Sequence, residues 1–429
     1  MKIRSPLLLL LALTFAAPLS ARDTTLHLPL GDPARKDREA PLVLDAVTDT
    51  RTGALITPAE LAARLGDVRL LLVGESHTDM DFHRAQLRVL EELVRSGRKV
   101  FLGLEMYPYT EQRHLDAWVE GKLTEEQFLE TSRWYEAWGY NWNYYRDLFL
   151  FARDKKIRLF AVNAPRAVVE KVRKKGFESL TPEEAAHIPR EIDTGSAEHR
   201  TLFKAFFGPD DPLHSGMNEQ QWDGMIAAQA TWDATMAHNA VKALEGEPGA
   251  MMVVLVGSGH VAYGLGIERH AARGFKGRIA SVIPVNVEDA EGDRVDTVQA
   301  SYANFLWGLP PATDPLYPSL GLSTVPVEGE KALKVIFISE KTPAAAAGLE
   351  AGDVLLALDG TPVPDKETLN RLMSAKRWGD AAVVRVRRGS GTVEIPVFFR
   401  RAVEKKVSVR GGEETGTSPL PGSVSSPAF

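Results

Sequence analysis

Leu70–His77 reads LLLVGESH and Val253–His260 reads VVLVGSGH. In each, an apolar run with no alternation meets a glycine, two small or polar residues and a histidine. Unbroken Leu/Val runs of this length suit strands buried on both faces, as in a parallel sheet covered by helices. The surrounding segments fit that reading. TPAELAARL, from Thr57, carries an N-cap threonine, Pro58 at the first helical position and Glu60 to close a capping box. The helix pattern DFHRAQLRVLEELVRSG follows His77 and stops at Gly97. Further apolar runs are KVFLGLEM, KIRLFAVNAP and RIASVIPVN. Strands alternating with helices predict an α/β domain with a mainly parallel sheet and helices on both faces.

The chain has 429 residues, 44% of them hydrophobic and 25% charged, which is room for two domains and at least one large core. A net charge of -6 offers no basic field, so no nucleic acid partner is expected. Lys2 and Arg4 precede the apolar run Leu7–Ala17 and the small-residue stretch PLSA, which predicts a signal peptide over 1–21, too short to span a bilayer. With no cysteine in the chain, disulfides, thiolate ligands, a cysteine nucleophile and a lipoprotein anchor are all excluded. The expected location is therefore export, as a soluble periplasmic protein.

A polar stretch spans 22–40 and the α/β domain 41–300. Two long inserts, near 107–151 and 177–244, predict a helical cap. Residues 301–318 read as a proline-rich linker, 319–402 as a small β-rich domain with one or two helices, and 403–429 as a disordered tail.

Ligands of open parallel sheets bind at the carboxyl ends of the strands. Here those ends carry Glu75 with His77, Glu105, Asn163 with Arg166, and His260. Two imidazoles with carboxylates form either a proton-transfer group or a first-row metal site, for which His77, His260 and Glu105 are the candidate ligands. His83, Gln229 and Asp233 lie on helix faces able to look into the same crevice. Seven aromatic residues crowd Trp134–Tyr145, and Tyr140, Tyr144 and Tyr145 are candidate ligand-binding groups on a platform for a flat ligand. GSGHVA imitates a dinucleotide fingerprint, but no acidic residue ends the next strand, and neither Ser76 nor Ser258 lies in G-x-S-x-G.

Taken together, Leu70–Gln86, FLGLEMY, FAVNAPR, AAQATWDATMA and VLVGSGHVAYGLGI resemble the ChaN-like family of haem-binding uptake proteins, in a superfamily with the Tiki/TraB proteins and erythromycin esterase. The resemblance runs from about Pro41 to Asn286. It implies an α/β sheet with a helical cap and a haem ligand held by a tyrosine at a homodimer interface. It also marks Glu75, His77, Glu105 and His260 as the superfamily's polar site, which other branches use for hydrolysis with or without a divalent metal ion. The lipoprotein anchor of the family is absent. SLGL at Ser319 and TPAAAAGLEAGDVLLALDGTPV at Thr342 resemble a bacterial PDZ domain. In that fold the turn Leu320, Gly321, Leu322 would meet the carboxylate of a C-terminal or extended peptide.

The sequence therefore predicts an exported haem- or iron-related ligand-binding protein with a peptide-binding PDZ module. The rival readings are a metal-assisted or His/Glu general-base hydrolase and a non-catalytic scaffold acting through its PDZ domain.

Overall fold

The computed structural model describes residues 25–207, 216–289 and 292–401. The expected signal peptide and C-terminal tail lie outside the described residues. Among those described, no helix is long and apolar enough to cross a membrane.

The strands of the first domain are β1 (Glu39–Pro41), β2 (Val47–Asp49), β3 (Ala54–Ile56), β4 (Val68–Glu75), β5 (Lys99–Pro108), β6 (Arg158–Asn163), β7 (Ala250–Gly257), β8 (Arg278–Asn286), β9 (Thr297–Gln299) and β10 (Phe305–Leu309). Eight of them form one sheet in the order β3-β2-β10-β8-β4-β7-β5-β6. From β10 to β6 every pairing is parallel, and β2 and β3 add an antiparallel edge.

The central strands explain the missing alternation. Leu71, Val73, Leu102, Leu104, Val253 and Leu255 point into one apolar core. Their neighbours Leu70, Leu72, Met252, Val254 and Val256 point into a second core on the opposite face. With both faces covered, each position along the strand is an inside position.

The helices are α1 (Pro58–Arg64), α2 (Met80–Arg95), α3 (Gln112–Val119), α4 (Glu125–Thr131), α5 (Trp134–Ala137), α6 (Arg146–Asp154), α7 (Arg166–Lys175), α8 (Pro182–Ala185), α9 (Ala197–Ala205), α10 (Glu219–Ala243) and α11 (Ile267–Ala271). The Thr57/Glu60 capping box forms as its residues predict. α2 buries Phe82, Ala85, Val89 and Leu93 at helical spacing. The insert α3–α6 builds a dense aromatic layer on the first core, where Trp118, Phe128, Trp134 and Phe149 are all buried and Trp118 Nε1 donates to the Phe149 carbonyl at 2.9 Å.

Two stretches are more ordered than their composition implies. Within the 301–318 linker reading, Phe305–Leu309 is instead strand β10, paired with β8; the apolar run FLWGL before the prolines supplies the strand. Within the polar stretch 22–40, Leu26, Leu30 and Ala40 join the second core. Tyr263 holds this segment, its hydroxyl accepting from Leu28 N and donating to the Thr25 carbonyl.

After Leu309 comes a second sheet, ordered β11 (Leu322–Pro326), β12 (Leu333–Ile338), β13 (Val354–Leu358), β15 (Ala381–Arg388), β16 (Gly391–Phe398), with β14 (Thr361–Pro362) beside β13. Helices α12 (Pro343–Ala347) and α13 (Lys366–Ser374) complete it around a separate core.

Trp118 tests the aromatic layer. Trp118→Ala is expected to lower unfolding free energy by about 3–5 kcal/mol, measured by urea denaturation. Trp118→Phe should cost clearly less.

Candidate functional site

In-register parallel strands bring their polar ends to one edge of the sheet. Glu75 pairs with Gly257 across β4 and β7, and Leu104, one residue before Glu105, pairs with Leu255 across β5 and β7. A Cβ on Gly257 would lie 3.3 Å from His77 Nε2 and 3.8 Å from Glu105 Oε2, so glycine leaves the space this close approach needs. His260 Nε2 stands 3.3 Å from Glu105 Oε1. The two Gly-x-x-His motifs thus meet at Glu105, whose second oxygen accepts from Gly257 N at 2.8 Å.

Both histidines are mounted the same way. His77 Nδ1 donates to Glu75 Oε1 at 2.7 Å, and the other Glu75 oxygen faces His83 Nδ1 at 3.5 Å. His260 Nδ1 donates to Asp233 Oδ1 at 2.6 Å, and the other Asp233 oxygen faces His199 Nε2 at 3.6 Å. Each site imidazole therefore has a buried carboxylate behind it and a further buried histidine behind that. Glu75 also accepts from the Tyr145 hydroxyl at 2.7 Å, and the Gln229 amide lies 2.9 Å from His260 Nδ1.

The electrostatics follow from burial and pairing. Burial alone would push the His260 imidazole down, but the charges of Asp233 and Glu105 outweigh it and push it up to about 10. Burial alone would raise the Glu75 carboxyl, but His83 and the bond from His77 bring it down to about 2. At His77 burial again opposes the charge, and the bond to Glu75 outweighs it, raising the imidazole.

The remaining predicted residues divide. His83 and Gln86 sit buried behind His77, with His83 Nε2 3.3 Å from the His77 carbonyl. Asn163 is a brace, its Nδ2 donating to the Glu105 carbonyl at 2.9 Å. Arg166 stands at the start of α7, and among the described residues it makes no ion pair. Tyr140 stacks on His77 with ring centres 5.0 Å apart, and Trp138 meets the same ring edge-on at 4.8 Å. Tyr144 accepts from Tyr317 N, and burial pushes its phenol up to about 12; burial raises Tyr140 and Tyr145 as well. In the second domain the Leu320 side chain is in the core, while Gly321 has φ of 75° and Leu322 begins β11.

Among the described residues no group of three or more His, Asp or Glu side chains is arranged to hold a metal ion. His260 Nε2 and Glu105 face each other as an ion pair, and both Nδ1 atoms bond carboxylates.

Three groups escaped sequence reading. His199 gave no signal beyond its place in a capped helix. Trp138 was one aromatic among seven. Tyr109, just past β5, has its hydroxyl 2.7 Å from His187 Nδ1, and both residues are only partly buried. Their separation of 78 residues hides the pair from any local pattern.

Comparison with known proteins places these features. Residues 61–270 match the family model described as haem-binding uptake, Tiki superfamily, ChaN, and residues 318–397 match the PDZ domain. No curated protein matches the chain. Among solved structures, "Cofacial heme binding to ChaN of Campylobacter jejuni" is 17% identical, covering 62% of this chain and 98% of that one, with a TM-score of 0.49. A serine endoprotease from Yersinia pestis is 22% identical over 20% of this chain and 29% of that one, with a TM-score of 0.18. The HtrA3 PDZ domain is 16% identical over 19% of this chain and 82% of that one, also with a TM-score of 0.18. The chain carries a ChaN-like α/β domain followed by a PDZ domain, a ligand-binding protein with a PDZ module.

A raised imidazole stabilises the fold fully below its unfolded value of about 6.5, and that contribution fades as pH climbs through the folded value of about 10. The gap in unfolding free energy between the native chain and His260→Gln is therefore expected to be widest below pH 6.5 and to narrow steadily toward about 10. Urea titrations across that range check it, and a gap that widened with pH would contradict the assignment.

Proposed function

We propose that this chain, a ChaN-like domain joined to a PDZ domain, is an exported haem-binding protein whose PDZ groove takes a C-terminal or extended peptide. The family match supports the ligand class, the charged-then-apolar leader at 1–21 supports export, and the observation that carries the reading is the Tyr109–His187 pair.

Haem iron takes an axial donor such as His, Cys, Met or Tyr, and a tyrosine serves only where the haem can reach its oxygen. The inner tyrosines do not fit that need. The Tyr145 hydroxyl donates to Glu75, Tyr144 is tied to Tyr317, and Tyr140 is buried against His77 with its phenol raised far above the ordinary value. Tyr109 does fit, being partly exposed at the carboxyl edge of β5 with an imidazole nitrogen in place to take its proton. Tyr109 would hold the iron and His187 would keep the phenolate charged. Haem bound there supplies a ferric Lewis acid for which a phenolate is a hard, anionic ligand. A flat ligand on so open an edge leaves one face uncovered, which supports the homodimer as the bound form.

A second reading, hydrolysis, is favoured by one observation, the opposed His77–Glu75 and His260–Asp233 dyads. A general base works best with a pKa near the operating pH. His260, held protonated up to about 10, does not meet that condition. On this reading Glu105, facing His260 Nε2 at 3.3 Å, is the candidate proton acceptor.

Hemin titration separates the readings. A Soret shift saturating at micromolar protein is expected for the native chain. Tyr109→Phe should abolish the tyrosinate signature, and His187→Leu should weaken binding about 10–100-fold. Tyr140→Phe should leave it intact, and a flat titration of native protein would reject the haem reading. Hydrolysis instead predicts turnover of an ester panel that Glu105→Gln abolishes.

A further inference from the structure

The aromatic segment Arg133–Tyr145 touches two things at once. On its inner side Trp138 and Tyr140 cover the His77 ring. On its outer side it is gripped by the PDZ helix α13. Asn370 Nδ2 donates to the Tyr135 carbonyl at 3.0 Å, Asn141 Nδ2 donates to the Ser374 carbonyl at 3.0 Å, and Arg133 pairs with Glu367 at 3.2 Å. Gly139, with φ of 87°, lies so close that a Cβ there would stand 2.8 Å from Asn370 Nδ2. The left-handed turn at Gly139 thus lets helix and aromatic segment meet between the two residues that cover His77.

The connection between the domains is also fixed. Trp378 Nε1 donates to the Pro315 carbonyl at 2.7 Å, and Tyr317 N donates to the Tyr144 hydroxyl at 3.2 Å. The Arg377 guanidinium lies over the Tyr317 ring at 4.8 Å. The PDZ domain is therefore seated on the aromatic segment and not merely strung after it.

Glu367, Asn370 and Ser374 recur at helical spacing on one face of α13. Thr368 and Leu372 fall on the flank roughly opposite, and Leu369 anchors the helix in the PDZ core between them. One rigid helix thus has one flank on the cover of His77 and another free of it, on the PDZ side.

We propose that the PDZ domain is a latch: α13 holds the Arg133–Tyr145 segment closed over His77, and release of α13 opens the site. A ligand that moves α13 from its PDZ side controls access to His77. By linkage, a ligand that enters beneath the segment changes affinity at the PDZ side by the same factor. The inference goes beyond the haem reading and does not require it, since it concerns access to His77 whatever enters.

The test uses the full chain and two readouts. One is the rate of diethylpyrocarbonate modification of His77, followed by peptide mass spectrometry. The other is hydrogen exchange of residues 134–145, with exchange of β12–β16 as the check that the PDZ domain stays folded. Glu367→Arg sets two cations against each other, and Asn370→Arg places a bulky charge where Gly139 admits no side chain. Each is expected to speed His77 modification at least about fivefold and to raise exchange over 134–145. Arg133→Glu combined with Glu367→Arg should restore the native rate. Native rates in both single variants, or failure of the charge swap to restore protection, would overturn the latch.

Discussion

Three carboxylates, Glu75, Glu105 and Asp233, sit at or near full burial under the cap, and the site depends on how that cost is met. An isolated carboxylate in such surroundings would take up a proton rather than remain charged. Here each has an imidazole against it, at 2.7, 3.3 and 2.6 Å respectively. The pairing has a price in reactivity. Histidines that neutralise buried carboxylates hold their protons tightly, so they act better as fixed positive charges than as proton acceptors near neutrality.

Much of this was legible from the chain alone. The apolar strands, the capped helices, the mainly parallel sheet and the second, β-rich domain follow from period, caps and turn residues, and the structure has them. The Gly-x-x-His repeat also pointed to a common place for His77 and His260, because parallel strands in register deliver their ends to one edge. What could not be read was which groups stand behind them. His199 is 34 residues from Asp233 in the chain, and His187 is 78 from Tyr109. Such contacts are made by inserts whose docking no local pattern encodes.

The boundaries show the same division. FLWGL was masked by the prolines that follow it, so a strand of the central sheet passed for linker. The stretch before residue 40 reads as polar, yet its few apolar residues join a core that also draws on the other end of the domain. In both cases composition described the segment correctly and missed its partner. The aromatic cluster was ambiguous for a related reason. Most of its rings are core, as large apolar side chains usually are, while Trp138, Tyr140 and the Tyr145 hydroxyl reach the polar site.

The attachment of Thr25 and Leu28 to Tyr263 bears on the order in which the chain assembles. Their separation from that ring, 235 residues for Leu28 and 238 for Thr25, means that the first part of the domain to leave the ribosome is among the last to find its place. Until Tyr263 has been synthesised and its loop has formed, Thr25 and Leu28 cannot make this attachment. Any factor that engages the leading end during translation meets it before the fold can claim it, and that interval spans most of the synthesis of the α/β domain.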